Sequence, residues 1–198
     1  MTRAPRVGVL ALQGDFREHL AVLTSLGADA VPVRREAELA QVDGLVIPGG
    51  ESTVMDKLAR AFGLAEPLRA RIADGLPVYG TCAGLILLAD RVQGAIDGQR
   101  TIGGLDVVVR RNAFGNQLDS FETDLEVEGF AGPPVHAAFI RAPVIEALGE
   151  RATAMAALDD GRVVAVRQDA LMGTSFHPEI TGETRFHEAF LDTVRAAA

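Results

Sequence analysis

Cys82 stands in Gly80-Thr81-Cys82-Ala83-Gly84, a Gly-x-nucleophile-x-Gly pattern between an apolar strand and an apolar helix. The flanking glycines permit a sharp, strained turn whose neighbours come close, and that turn projects the thiol out of the sheet. Free N–H groups at the start of the following helix favour thiolate, the reactive form. A lone cysteine is more often a small buried hydrophobe, and it is the double-glycine context that favours the nucleophile. Far downstream, Phe176-His177-Pro178-Glu179 follows another apolar run. An imidazole with an unperturbed pKa of ~6.5 takes and returns a proton near neutrality, and a carboxylate two positions on can accept its other N–H. His177 reads as the base and Glu179 as its orienter, against the alternative of a structural histidine at a strand end. His19, His136 and His187 show no obvious carboxylate partner and read as surface residues. Cysteine, base and carboxylate together are the equipment of covalent acyl transfer.

Two further groups of residues suit that chemistry. Pro48-Gly49-Gly50-Glu51-Ser52-Thr53 closes an apolar strand just before a helix. Its backbone donors suit an oxyanion hole, with an ordinary turn capped by Ser52 as the alternative. Arg110, Arg111 and Arg141 sit in apolar or turn surroundings, and an arginine fork suits a free α-carboxylate.

The elements that must hold these residues follow from hydrophobic spacing. Apolar runs at 7–12, 30–33, 44–47 and 77–79 alternate with helical patterns at 16–26, from 52 or 53, at 64–73 and at 83–91, as in βαβ units around a parallel sheet. After Gly104 the texture turns strand-rich, with runs at 106–110, 123–127, 136–140, 162–167 and 170–175 and a hairpin signal at Asp159-Asp160-Gly161. A helix over 183–197 closes the chain. The expectation is one three-layer α/β domain over residues 1–198, a mostly parallel central sheet with a nucleophile elbow and a smaller antiparallel strand-rich extension.

Composition narrows the function. A net charge of −8 with one lysine, Lys57, argues against broad nucleic-acid contact. A single cysteine excludes an intramolecular disulfide and a multi-cysteine zinc site, which points to the cytoplasm. The run at 7–12 is short and contains Gly8, so it reads as a strand rather than a signal peptide, and no apolar stretch approaches the ~20 residues that cross a bilayer.

Pro48-Gly49-Gly50-Glu51-Ser52, Gly80-Thr81-Cys82-Ala83-Gly84 and His177-Pro178-Glu179 resemble the three signatures of class I, triad-type glutamine amidotransferases. Val9-Leu10-Ala11-Leu12-Gln13-Gly14, Arg111-Asn112-Ala113-Phe114-Gly115, Asp119-Ser120-Phe121-Glu122 and Phe139-Ile140-Arg141-Ala142-Pro143 are similar to the glutaminase subunits of pyridoxal 5′-phosphate synthases, from about residue 6 to 195. The resemblance implies hydrolysis of L-glutamine to glutamate and ammonia, with the ammonia passed to a synthase subunit, and neither metal nor organic cofactor. It implies Cys82 as nucleophile, His177 as base and Glu179 as partner. Gly50, Glu51, Ser52, Arg111, Ile140 and Arg141 would contact glutamine, and Gly50 and Ala83 would supply the oxyanion hole. The segment 92–101 looks like variable loop. Rival readings are a glutaminase serving another synthase, and a non-catalytic module that keeps an elbow cysteine as an oxidation sensor.

Overall fold

The computed structural model describes residues 3–111 and 120–197, so the expected motif residues Asn112 to Gly115 and Asp119 lie outside it. The first half alternates as expected. Strands β1 (Arg6–Leu10), β2 (Asp29–Val33), β3 (Gly44–Ile47) and β4 (Val78–Thr81) are separated by α1 (Phe16–Ser25), α2 (Glu36–Leu39), α3 (Ser52–Ala61) and α4 (Ala65–Ala73), and α5 (Ala83–Leu88) follows β4. The second half holds β5 (Ala89–Gln93), β6 (Leu105–Arg110), β7 (Ser120–Leu125), β8 (Val135–Ile140), β9 (Val144–Leu148), β10 (Thr153–Ala157), β11 (Val163–Gln168) and β12 (Leu171–Thr174). The helices α6 (Pro178–Thr181) and α7 (Arg185–Ala197) end the chain.

Among the described residues, ten strands form one sheet in the order β2-β1-β3-β4-β12-β11-β9-β6-β5, with β10 paired to β11. The first five are parallel, whereas β12-β11, β11-β9 and β9-β6 are antiparallel. The antiparallel extension is therefore continuous with the central sheet, and only the β7-β8 hairpin stands apart as a two-stranded sheet.

Side-chain alternation along the parallel strands divides the core in two. Leu45, Ile47 and Val78 join Met55 of α3, Leu68 of α4 and Leu85 of α5 on one face. Val7, Val9, Val46 and Tyr79 join Leu23 of α1, Phe190 and Val194 of α7, and Phe139 of the hairpin on the other. The result is three layers.

Two local expectations fail. The helix expected over 83–91 stops at Leu88, and Ala89–Gln93 is a strand paired parallel to β6. A continuous apolar run carries no period that separates buried helix from strand, and the pairing decides it. Strands β9 and β10 are additions to the expected set, each only five residues long and without the alternation of buried and exposed positions that marks a half-buried strand.

Candidate active site

The elbow is built by close contact. Beyond β4 the chain turns at Cys82 with φ 48° and ψ −101°, a positive-φ conformation that costs a non-glycine residue on the order of 1–3 kcal/mol. A Cβ on Gly80 would lie 2.6 Å from the carbonyl of Gly84, and one on Gly84 would lie 2.0 Å from the carbonyl oxygen of Ile47. Both glycines are thus required where α5 crosses β4 and β3. The Cys82 N–H donates to the Thr174 carbonyl at 2.8 Å, which ties the turn to the end of β12.

His177 lies three residues beyond that end, and its N–H donates to the Ala138 carbonyl of β8 at 3.1 Å. The imidazole Nδ1 is 2.8 Å from Glu179 Oε1, with Glu179 fully buried behind it. Burial alone would lower the imidazole pKa. Hydrogen bonds and charge interactions with Cys82 and Glu179 outweigh burial and push it up to about 10. His177 is accordingly an imidazolium at neutral pH, beside the sulfur. Asp15, His177 and Glu179 also bring one ligand atom each within 4.8 Å of one another. A metal on Nδ1 would have to displace the Glu179 bond and evict a tightly held proton, so this donor set has the chemistry of an acid–base pair.

Cys82 and His177 open on a cavity of about 430 Å³ whose walls include Gln13, Asp15, Gly50, Glu51, Ser52, Ile86, Arg111, Ile140 and Arg141. All six residues expected to contact substrate are therefore on one surface with the thiol. Ala83 is buried beside Cys82 rather than on the wall, but as the first residue of α5 its N–H has no intrahelical acceptor. Arg110 points elsewhere and pairs with Glu146. A second cavity, about 470 Å³ and walled by Arg69, Ile102, Arg151 and Leu171, contains none of these residues.

The Gly49-Gly50 peptide is fixed in orientation. The Gly49 carbonyl accepts the Asp15 N–H at 3.1 Å, and because the peptide is trans the Gly50 N–H faces the other way. A Cβ on Gly49 would sit 2.2 Å from His177 Cε1, so the loop touches the imidazole directly. Glu51 then caps α3, accepting the Thr53 N–H at 3.2 Å and the Val54 N–H at 2.8 Å. Desolvation raises the Glu51 pKa, but these amides and Arg111 bring it below the ordinary carboxylate value.

Arg111 is held by three side chains. It donates to Glu51 Oε1 at 3.1 Å, to Thr53 Oγ1 at 3.2 Å and to Gln99 Oε1 at 2.5 Å, while Gln99 Nε2 donates to Ser52 Oγ at 3.0 Å. Gln99 belongs to the segment that the sequence presents as variable loop. Its Gly-Gln-Arg neighbourhood gave no signal, because the contact exists only once Arg100 N–H is bonded to Asp56 at 3.0 Å. Gln13, Asp15 and Ile86 are likewise additions to the site. Arg141, the residue after β8, reaches the cavity with φ 44°, a second strained residue.

The remaining histidines correct the sequence reading. His19 and His187 are fully buried, on the same helix faces as Leu23 and Phe190. His136 is exposed but does have carboxylate partners, Asp124 at 2.9 Å and Glu122 at 3.0 Å across the hairpin, which raise its pKa.

Known proteins share this sequence and this fold. The family model of the SNO glutamine amidotransferases matches residues 9–196. The chain belongs to the SNO glutamine amidotransferase family. The matched span of this amidotransferase chain takes in every residue of the cavity. It is 68% identical over 191 residues to the "Pyridoxal 5'-phosphate synthase subunit PdxT" of Leifsonia xyli subsp. xyli, covering 96% of each chain. Its identity to the protein of the same description from Streptomyces coelicolor is 58%, over 99% of this chain and 96% of that one. A crystal structure of a glutamine amidotransferase superposes with a TM-score of 0.89 at 48% identity, covering 95% of this chain and 98% of that one. A putative GMP synthase subunit from Thermoplasma acidophilum shares the fold, with a TM-score of 0.72 at 19% identity over 99% and 96% of the two chains.

Proposed function

We propose that this chain, as a single domain spanning residues 1–198, hydrolyses L-glutamine to L-glutamate and ammonia and delivers the ammonia to the synthase subunit of a pyridoxal 5′-phosphate synthase. The observation that carries the reading is the convergence of Cys82, the Glu179-bound His177 and six candidate substrate contacts on one cavity of about 430 Å³. Family membership and the description borne by the relatives from Leifsonia and Streptomyces support it.

In this mechanism the Cys82 thiolate attacks the side-chain carbonyl carbon of glutamine, and the N–H groups of Gly50 and Ala83 hold the oxyanion. His177 gives its proton to the departing nitrogen, leaving a γ-glutamyl thioester and free ammonia. Now neutral, His177 takes a proton from water as that water attacks the thioester, and glutamate leaves as the thiolate and imidazolium are restored. Glu179 keeps the imidazole in the tautomer and orientation both steps need. Glu51, Ser52, Arg111, Ile140 and Arg141 hold the amino-acid end of the substrate. The mechanism uses neither metal nor organic cofactor. Among the described residues no helix is long and apolar enough to cross a membrane, and a biosynthetic subunit with one free cysteine fits the cytoplasm.

The test is ammonia release from glutamine with and without a pyridoxal 5′-phosphate synthase subunit, together with labelling of Cys82 by a glutamine-like chloroketone. Glutamine-dependent ammonia and labelling at Cys82 are expected, and their absence in the presence of the synthase subunit would reject the function.

A further inference from the structure

Four elements converge behind Glu179. Glu179 Oε1, which accepts from His177, is also 3.5 Å from Nε2 of His19 on α1. The same His19 nitrogen is 3.1 Å from Thr81 Oγ1, on the residue before the nucleophile. His19 Nδ1 in turn lies 2.9 Å from Nε2 of His187 on α7. All four side chains are buried, and His187 Nδ1 has no hydrogen-bond partner.

Satisfying these contacts fixes the protons. Burial lowers both imidazoles, His187 to about 4 and His19 well below its ordinary value with help from His187 and His177, so both rings are neutral and carry one proton each. The other titratable groups facing the pair are Glu179, Glu183 and Tyr79, whose ring meets His187 edge-on at 5.6 Å. A proton on His187 Nδ1 would be a buried donor with no acceptor, a costly arrangement. It would also force His19 to carry its proton on Nδ1 and turn a lone pair toward the Glu179 carboxylate. With both protons on Nε2 instead, His187 donates to His19, and His19 donates toward Thr81 and Glu179.

We propose that His19 is a positioning residue of this site, its proton placed on Nε2 by His187 so that it holds Glu179 and Thr81 where His177 and Cys82 require them. The proposal rests on the reading of these residues as a glutaminase. The chain of donors runs one way, from α7 through α1 to the two residues that neighbour the chemistry, and links the packing of the terminal helix to the orientation of the imidazolium. A pair that merely filled space would be replaceable by any flat ring.

His19→Phe preserves the ring and removes both nitrogens, while His19→Gln returns an amide donor near the place of Nε2. With the synthase subunit present, His19→Phe is expected to lower kcat for glutamine by about 10-fold with KM changed less than about 2-fold, because the hydrogen bond to Thr81 and the 3.5 Å contact with the Glu179 carboxylate are lost together. In the same variant the pKa of His177, followed by its ring signals, falls below about 10. His19→Gln recovers most of both. Equal behaviour of the two variants, or no change in either readout, overturns the proposal. If His19→Phe does not fold, nitrogen spectra of the unmodified protein decide. They are expected to show both rings protonated on Nε2 at neutral pH, and a proton on His19 Nδ1 overturns the proposal. These spectra require no turnover, so a failure of the glutaminase reading is seen separately in the ammonia assay.

Discussion

The Cys82 N–H donates to the Thr174 carbonyl at 2.8 Å, joining the strained nucleophile turn to the strand that leads into His177. Pairing of β4 with β12, with Thr81 opposite Thr174, thereby brings together residues far apart in sequence. Nucleophile and base leave neighbouring parallel strands at the same edge, the place where open α/β sheets bind ligands.

Replacing the sulfur changes both rate and titration. Cys82→Ala is expected to abolish ammonia release while leaving the fold intact. It also removes one of the two partners that raise the His177 pKa to about 10. The sign follows directly: in the unmodified protein the ring keeps its proton through neutral pH and loses it only as pH climbs toward 10, whereas in Cys82→Ala the loss moves to lower pH. A titration of the His177 ring by NMR checks this, and identical curves would show that the sulfur and imidazole do not interact.

Gly84→Ala tests the elbow. Its Cβ would meet the Ile47 carbonyl oxygen at 2.0 Å, backbone that cannot swing aside, so a loss of about 3 kcal/mol is expected in urea denaturation. Gly27→Ala serves as the control, with φ 83° but open space around it, and should cost only about 1 kcal/mol. Similar denaturation midpoints for the two variants would contradict the contact argument.

Arg111→Ala separates binding from nucleophilicity. Removing a guanidinium positioned by Glu51, Thr53 and Gln99 should raise KM for glutamine by about 10-fold, since a charge-assisted hydrogen bond to substrate is lost. Alkylation of Cys82 by iodoacetamide should change by less than about 2-fold. Unaltered steady-state kinetics would remove Arg111 from the substrate site.

Gly14→Ala probes the oxyanion loop without touching the triad. A Cβ there would stand 1.8 Å from the Gly49 carbonyl oxygen, which must then abandon its bond to Asp15 and reorient the Gly49-Gly50 peptide. Loss of one oxyanion donor predicts a fall of ~10²–10³ in kcat with Cys82 still alkylated normally. Full kcat in this variant would exclude the Gly50 N–H as a donor.

What the sequence determined by itself is what short-range sterics and local chemistry dictate. Gly80 and Gly84 around Cys82 specify a turn tight enough to need them, His177 and Glu179 are close enough in the chain to bond each other, and the apolar spacing of α1 and α7 defines helices whatever they pack against. Tertiary structure decided everything that depends on a partner distant in the chain. Ala89–Gln93 became a strand because β6 lies beside it, and Gln99 entered the site because its loop is tied to α3. His19 and His187 are histidines on apolar helix faces, a pattern equally consistent with a polar edge. Only the packing of α1 and α7 over β4 and α6 buried both rings and aligned their nitrogens with Glu179. Burial and register are properties of the assembled layers, so no local pattern encodes them.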